Sequence, residues 1–564
     1  MPTTVSFSEA LVESLHALGV ERAFGLVGGA IAPLAHALAV GPLKVHHFRH
    51  EGGAGFAALE ASLASNRPVA VFTTTGPGMT NALTPLWAAR WEGAKILLLS
   101  GATSAPQRGR WACQETSAYT FPVGALHGPG ALFHFGVTLE SADELAQVQA
   151  RLAAGFARPE GFVAHLGLPL AVQAARVSTA RRPSPVPPVF PSAGPAALRG
   201  IAQLLTRGDA VIWAGYGARH ASAELLALAT RLRLPVMCSP RAKGVFPEDH
   251  PLYLGSTGLG GQSSVDAYFR RRRVEHVLVL GSRLSEPTSF WNPALVPSEA
   301  FIHVDLDPTV PGTAYPDART VAVQAEVGGF LRGLLDSLGD EELASTRRVD
   351  PLPAAEHVSD APDGPVRPQR VMQAIQKLII DQTDAVVMSE SGNSFAWANQ
   401  LLRFPSTGRY RVSTGFGSMG HMTAGVVGAA LARGGLAVAV VGDGSMLMQA
   451  EVNSAVQYGA RALWIVLNDA QYGMVEQGMR ALGLTPLETG MPRTDFAAWA
   501  QAQGATGMKV DCEEELDAVL ERALQIQGPC VVDVRIDARQ TAPWMRRIQN
   551  LIAQGADTAP GDNR

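Results

Sequence analysis

Short runs of valine, isoleucine and leucine, each closed by glycine or a polar turn, recur along this chain and limit its fold more than any other feature. They read VAVFTTTG (69–76) and KILLLSGA (95–102), then AVIWAGYG (210–217), HVLVLGSR (276–283) and FIHVDLD (301–307). A third set follows with AVVMSESG (385–392), AVAVVGDG (437–444) and ALWIVLND (462–469). None alternates apolar with polar residues, so neither face of these strands is meant for water. Ala- and Leu-rich stretches of helical period separate them. Strands buried on both faces and joined by helices form parallel sheets. The expected fold class is therefore α/β, with three doubly wound parallel-sheet domains. In such sheets ligands bind beyond the carboxyl ends of the strands.

Two linkers set the expected divisions. RRPSPVPPVFPSAGP (181–195) carries too much proline for a helix or a central strand, and 347–368 holds prolines, acids and a DAPDGP turn cluster. Domains are expected over 1–180, 196–346 and 369–550, with a frayed tail after Leu551. A length of 564 residues suits this count. A net charge of −4 leaves no basic excess to hold nucleic acid, and 47% hydrophobic residues exclude wholesale disorder. The four cysteines, Cys113, Cys238, Cys512 and Cys530, form no CxxC pair, so neither a zinc site nor a disulfide framework is expected. The best apolar stretch, 424–441, is broken by Arg433 and four glycines, too short a run for a membrane span. The first residues, MPTTVSFSEALVESL, read as a helix capped by Ser6 or Ser8 with Glu9 in its first turn, not as a signal peptide. A cytoplasmic protein is expected.

The chemistry concentrates in the third set of strands. GDGS (442–445) ends one strand and Asn468-Asp469 ends the next, with a helix around 451–459 between them. Parallel neighbours lie about 4.8 Å apart, so oxygen ligands at their equivalent ends can meet one hard cation. Gly442 and Gly444 allow a sharp turn, and Ser445 opens a helix whose N–H groups can face an anion. A metal with a diphosphate fits this spacing better than two ordinary strand-to-helix turns do.

From about residue 5 to 545 the chain resembles the thiamine diphosphate enzymes of the acetolactate synthase, pyruvate decarboxylase and benzoylformate decarboxylase group. The resemblance is strongest toward acetolactate synthase. It is carried, in family order, by AFGLVGGAIAPLAHAL, RHEGGAGFAA, TTTGPGMTNAL, KGVFPEDHPLYLG, HVDLDP, GFGSMG, GDGS and NDAQYGMVEQ. It implies pyrimidine-binding, central and diphosphate-binding domains, thiamine diphosphate with Mg2+, and a homodimer or homotetramer whose sites lie between chains. Glu51 in RHEGGAG is then the activating carboxylate at the aminopyrimidine ring nitrogen N1′. Without the resemblance it would read as a glutamate placed at a helix start by the dipole. Met419 is the wedge under the bent cofactor, with Gly417 and Ser418 beside it at the pyrimidine edge. Thr75 belongs to the first domain's turn near the pyrimidine. Ser391, Gly392, Asn393 and Ser394 match the diphosphate stretch, together with Gly442, Gly444, Ser445, Tyr472, Gly473 and Met474. Asp443, Asp469 and the Gln471 carbonyl are the expected metal ligands.

Several positions depart from the pattern. Asp469 stands where the second ligand is usually asparagine, and Asn468 is the alternative. Gly478 replaces the tryptophan that acetolactate synthases use to choose an acceptor, and Leu170 replaces a lysine. Gln114, in CQET, is the retained glutamine and a catalytic candidate. His421 is either a proton relay at the reacting carbonyl or a space-filler near a helix start. His46, His47 and His50 alternate along a strand, so a shared metal is not expected. The resemblance leaves the central domain open, since some members hold FAD there and others nothing. GYGARHASAEL (215–225) has glycines that a diphosphate could approach, but Leu284 to Trp291 replaces the acidic stretch of the flavin-holding members. The resulting expectation is a lyase or carboligase that decarboxylates a 2-keto acid and passes the acyl unit to an aldehyde or keto acceptor. A flavin-linked 2-keto acid oxidase and a non-catalytic scaffold paralogue are the alternatives.

Overall fold

A computed structural model describes residues 4–117, 119, 129–178, 183–338, 364–485 and 488–556. Residues 347–363 of the linker expected over 347–368, and the part of the tail beyond 556, lie outside these residues. Residues 183–194 form neither helix nor strand, and Pro195 already opens a helix.

Three six-stranded sheets follow one another, and every pairing within them is parallel. A short antiparallel pair joins β1 (Thr4–Ser6) to β8 (Arg176–Ser178). The first sheet holds β2 (Arg22–Gly25), β3 (Lys44–His47), β4 (Val69–Thr73), β5 (Lys95–Ala102), β6 (Phe135–Thr138) and β7 (Phe162–Pro169), in the order β3-β2-β4-β5-β7-β6. The central sheet holds β9 (Ala210–Ala214), β10 (Val236–Cys238), β11 (Tyr253–Ser256), β12 (His276–Leu280), β13 (Ala300–Asp305) and β14 (Thr320–Gln324), ordered β11-β10-β9-β12-β13-β14. The third holds β15 (Val386–Ser389), β16 (Tyr410–Val412), β17 (Ala437–Gly442), β18 (Ala462–Asn468), β19 (Thr506–Val510) and β20 (Cys530–Arg535), ordered β16-β15-β17-β18-β20-β19. The first and third sheets thus share one topology and reverse direction between their first and third strands. The central sheet reverses between β9 and β12. These reversals open crevices at the strand ends. As the apolar runs require, β4, β7, β9, β12 and β18 are buried along their whole length.

Six helices shape the strand-end crevices and the junction between sheets. They are α1 (Glu51–Ser65), α2 (Asn393–Leu401), α3 (His421–Arg433), α4 (Asp443–Met446), α5 (Gly473–Ala481) and α6 (Met545–Leu551). Helices α1 and α3 cross at the junction of the first and third sheets. Gly428 makes the crossing possible, because a Cβ there would stand 1.9 Å from the Ala57 carbonyl oxygen. At the N-terminus, the choice between two caps falls to Ser6, which forms a capping box with Glu9.

Candidate active site

A cavity of about 350 Å³ opens at the carboxyl ends of β15, β17 and β18. The first turns of α2, α4 and α5 border it, so three helix starts, whose first N–H groups lack partners within their own helix, face one space. Ser391 Oγ and Asn393 Oδ1 are buried at its edge with no hydrogen-bond partner. Gly392, at φ 124°, turns the chain into α2 in a conformation that a side chain would oppose. Of the sequence candidates, Ser391, Gly392, Asn393, Ser394, Gly417, Met419, Gly442, Asp443, Gly444, Ser445, Asp469, Gln471, Tyr472, Gly473 and Met474 all line this cavity.

Two carboxylates lie on its floor. Asp443 Oδ1 accepts from the Gly444 N–H at 2.7 Å, and Oδ2 accepts from the Ala470 N–H at 2.6 Å. Ala470 takes φ 59° to deliver that donor, a left-handed conformation that costs a side-chain-bearing residue about 1–2 kcal/mol. Asp469 Oδ2 accepts from Gln471 Nε2 at 3.2 Å. Burial, and then the neighbouring Asp443 carboxylate, push the Asp469 carboxyl up to about 6. Two facing acids held together against their repulsion suit a cation. Asn468 is turned the other way. Its Nδ2 donates to the Thr494 carbonyl at 2.9 Å and to Asp533 at 2.8 Å, and its Oδ1 accepts from Arg493 at 3.1 Å. Asn468 does not line the cavity, and its amide is already spent on these partners.

The first unit's candidates form a separate group. Glu51 opens α1, is 6% exposed, and accepts from Asn81 Nδ2 at 3.0 Å through Oε2. Its Oε1 faces Gly78, where a Cβ would approach it to 3.0 Å. Thr75 donates to Gln114 Oε1 at 3.2 Å. None of Glu51, Thr75 and Gln114 lines the cavity of the third unit in the same chain. Ser418 is also outside it, with its hydroxyl donating to the Met419 carbonyl at 3.2 Å.

His421 requires a correction. Its ring is fully buried, stacks on Phe56 at 4.8 Å and meets Glu60 Oε1 through Nε2 at 3.0 Å. It therefore belongs to the α1–α3 crossing and not to a reacting carbonyl. The other histidines also act as packing groups. His46 stacks on Phe24 at 4.9 Å, His47 meets Phe72 edge-on, and His50 caps α1 by accepting from the Gly52 N–H.

Sequence reasoning missed several residues. Asn81 sits inside TTTGPGMTNAL, where nothing local marks it as the partner of Glu51. Glu60 was a visible anomaly, a charge on the otherwise apolar face of GAGFAALEASLAS, and it binds Arg411 through two 2.9 Å bonds. Glu92 and Arg241 extend this buried cluster into the central unit with a 2.7 Å ion pair.

A second cavity, of about 510 Å³, lies where the central sheet reverses. Arg219, Arg241, Arg283, Ser282 and Asp305 are among its lining residues. Two glycines of GYGARHASAEL also allow the close packing of their loop on the next strand end, and Gly217 lines the cavity. A Cβ on Gly215 would lie 2.2 Å from the Gly281 carbonyl oxygen, and one on Gly217 would lie 2.8 Å from the Gly281 Cα.

Three parallel α/β units, with an anion-cradling cavity over paired acids in the last, define a multi-unit enzyme that handles a phosphorylated ligand. Models of the thiamine pyrophosphate enzyme family match all three, the N-terminal TPP binding domain over 5–121, the central domain over 198–334 and the C-terminal TPP binding domain over 390–534. The chain belongs to that family. It is similar to a probable acetolactate synthase large subunit of Methanocaldococcus jannaschii, 26% identical over 97% of this chain and 95% of the relative. The acetolactate synthase isozyme 2 large subunit of Escherichia coli is 26% identical over 97% and 98%. A probable 2-ketoarginine decarboxylase of Pseudomonas aeruginosa is 28% identical over 94% of each chain. The protein is an acetolactate synthase-like, thiamine diphosphate-dependent enzyme that makes or breaks carbon–carbon bonds. No helix of the described residues is long and apolar enough to cross a membrane.

Proposed function

We propose that this enzyme decarboxylates a 2-keto acid and transfers the acyl unit to a neutral aldehyde or ketone, using magnesium and a site shared between two copies of the chain. The observation that carries the reading is the pair Asp443 and Asp469 beneath three helix starts, with Ser391 and Asn393 holding unspent polar atoms beside them. These groups fit a magnesium diphosphate. Asp443, Asp469 and the Gln471 carbonyl would hold the cation, and the backbone of residues 392–394, 444–445 and 473–474 would hold the phosphates. Met419, whose methyl would lie 3.4 Å from a Cβ on Gly444, would hold the cofactor against the cavity wall. Bound there, thiamine diphosphate supplies an electron sink for the carbanion left when CO₂ departs.

Glu51 holds a proton at the pyrimidine ring nitrogen, with Asn81 fixing one carboxylate oxygen and leaving the other free over Gly78. Gln114 orients the incoming acceptor from the same side. A shared site is supported by the separation of these residues from the third unit's cavity in one chain. A second copy brings the halves together. A cytoplasmic location accords with four cysteines that form no disulfide among the described residues. The central cavity supports a flavin only by its place in the sheet, and the absorption spectrum of the purified protein tests that reading.

Asp469→Ala is expected to weaken magnesium-dependent retention of thiamine diphosphate about tenfold or more, the scale of one charged contact. Asn468→Ala is expected to lower the melting temperature and leave the magnesium requirement unchanged. Calorimetric titration of apo protein separates the two.

The choice of acceptor follows from two absences. A Cβ on Gly478 would meet nothing within 4 Å, so no neighbour takes the place next to its Cα, and Leu170, just past β7, offers no charge to a carboxylate. In competition between excess pyruvate and aliphatic or aromatic aldehydes, hydroxyketones should exceed acetolactate by about tenfold, as expected when one charged contact is missing. Mass spectrometry of the products decides, and acetolactate dominating at every aldehyde concentration would refute the reading.

A further inference from the structure

We infer that Arg547, on the C-terminal segment, is a binding residue for the cofactor's diphosphate in this chain. The inference rests on reading the third unit's cavity as the diphosphate site. Charge around that cavity is lopsided. Glu286, Asp443, Asp469 and Asp537 line it, and Arg547 is the one Lys, Arg or His among its described lining residues. Asp537 is balanced by Arg539 at 2.9 Å, whereas Glu286 accepts from the neutral Asn550 amide at 2.7 Å and keeps its charge. A divalent cation only neutralises the pair Asp443 and Asp469. A diphosphate then adds charge that the helix starts offset in part, each carrying roughly half a positive charge. Arg547 supplies the missing cation.

Its placement is built and not incidental. Gln477 on α5 joins the segment at two points, donating to the Gln540 carbonyl at 3.0 Å and accepting from Trp544 Nε1 at 3.2 Å. The same Gln477 Oε1 lies 3.4 Å from Asn393 Nδ2, at the start of α2. Trp544 and Ile548 are buried in the third unit's core, and Arg546 pairs with Asp266 of the central unit. The segment that carries residue 547 is thus held at anchors on two units, while the Arg547 side chain itself is exposed and its guanidinium has no ion pair among the described residues. A guanidinium fork suits phosphate oxygens in a way that a carbonyl or amide does not.

The test uses full-length protein stripped of cofactor and titrated in magnesium, following calorimetric heat or the fluorescence of Trp397, which lines the cavity. Arg547→Ala should raise the dissociation constant of thiamine diphosphate about tenfold or more and flatten its salt dependence. Inorganic pyrophosphate should weaken as a competitor in parallel, while unphosphorylated thiamine should be unaffected. Arg547→Lys should restore most of the affinity. Unchanged binding of thiamine diphosphate in Arg547→Ala would overturn the assignment. An equal loss for thiamine would also overturn it, because the segment would then act only as packing. If wild-type protein bound neither thiamine diphosphate nor pyrophosphate, the failure would belong to the reading of the cavity itself.

Discussion

Glu51→Gln is expected to lower turnover by about 10²–10⁴-fold, the usual range for a positioned acid–base group, while leaving cofactor affinity within a few-fold. Glutamine keeps the shape and can still meet Asn81, so α1 keeps its start and its packing. What it loses is the ability to exchange a proton through the oxygen that faces Gly78. The proposed diphosphate site lies in the third unit, and Glu51 does not line it. The check pairs product formation with the rate of C2 proton exchange in bound thiamine diphosphate. Wild-type exchange in the variant would remove Glu51 from the mechanism.

Glu60→Ala should be strongly destabilising, at about 3–5 kcal/mol, because it removes the carboxylate that buried Arg411 meets through two 2.9 Å bonds, leaving it the more distant Glu92 at 3.8 Å, and takes away the hydrogen-bond partner of His421. Glu60 is 1% exposed and Arg411 8% exposed, and the pair joins the first unit to the third across their helix crossing. Burial opposes ionisation of Glu60, yet Arg411 and His421 hold its carboxyl well below the usual range. The sign follows from linkage. A depressed carboxyl contributes stability that is fully present above its unfolded value of 4.5 and is lost as pH falls below it. Wild-type protein should therefore lose melting temperature on acidification from pH 5 by more than Glu60→Ala does. Scans at a fixed rate with cofactor present measure both effects. A variant that melts within a degree of wild type would mean the cluster is neutral.

The long apolar strands were legible because burial on both faces leaves them no polar position, as in KILLLSGA and ALWIVLND. Tyr410–Val412 was not legible. It is three residues long at a sheet edge, and its middle residue is Arg411, whose charge is tolerated only because Glu60 arrives from 351 positions away. The diphosphate cradle could be read locally, since a strand end, glycines and a helix start are all contiguous in sequence. Arg547 could not, because nothing near it in the chain suggests a ligand. Only the folding of residues 537–551 back across α5 brings it to the cavity.

By itself the sequence determined the three parallel sheets, the place of the cavity at their carboxyl ends, and the glycine turns and helix starts that border it. The sheets, turns and helix starts rest on periodicity, chain reversal and backbone geometry, all of which act over a few residues, whereas the roles of Ser391–Ser394, Gly417 and Met419 came from the family resemblance. The tertiary structure decided which of two adjacent residues, Asn468 or Asp469, faces the cavity, because β18 sends neighbouring side chains to opposite faces and Arg493 and Asp533 claim the first. It also decided that His421 serves the crossing of α1 and α3, through a partner on another unit. The separation of Glu51 from the cavity likewise depends on how whole sheets pack, and short-range pattern carries no information about that.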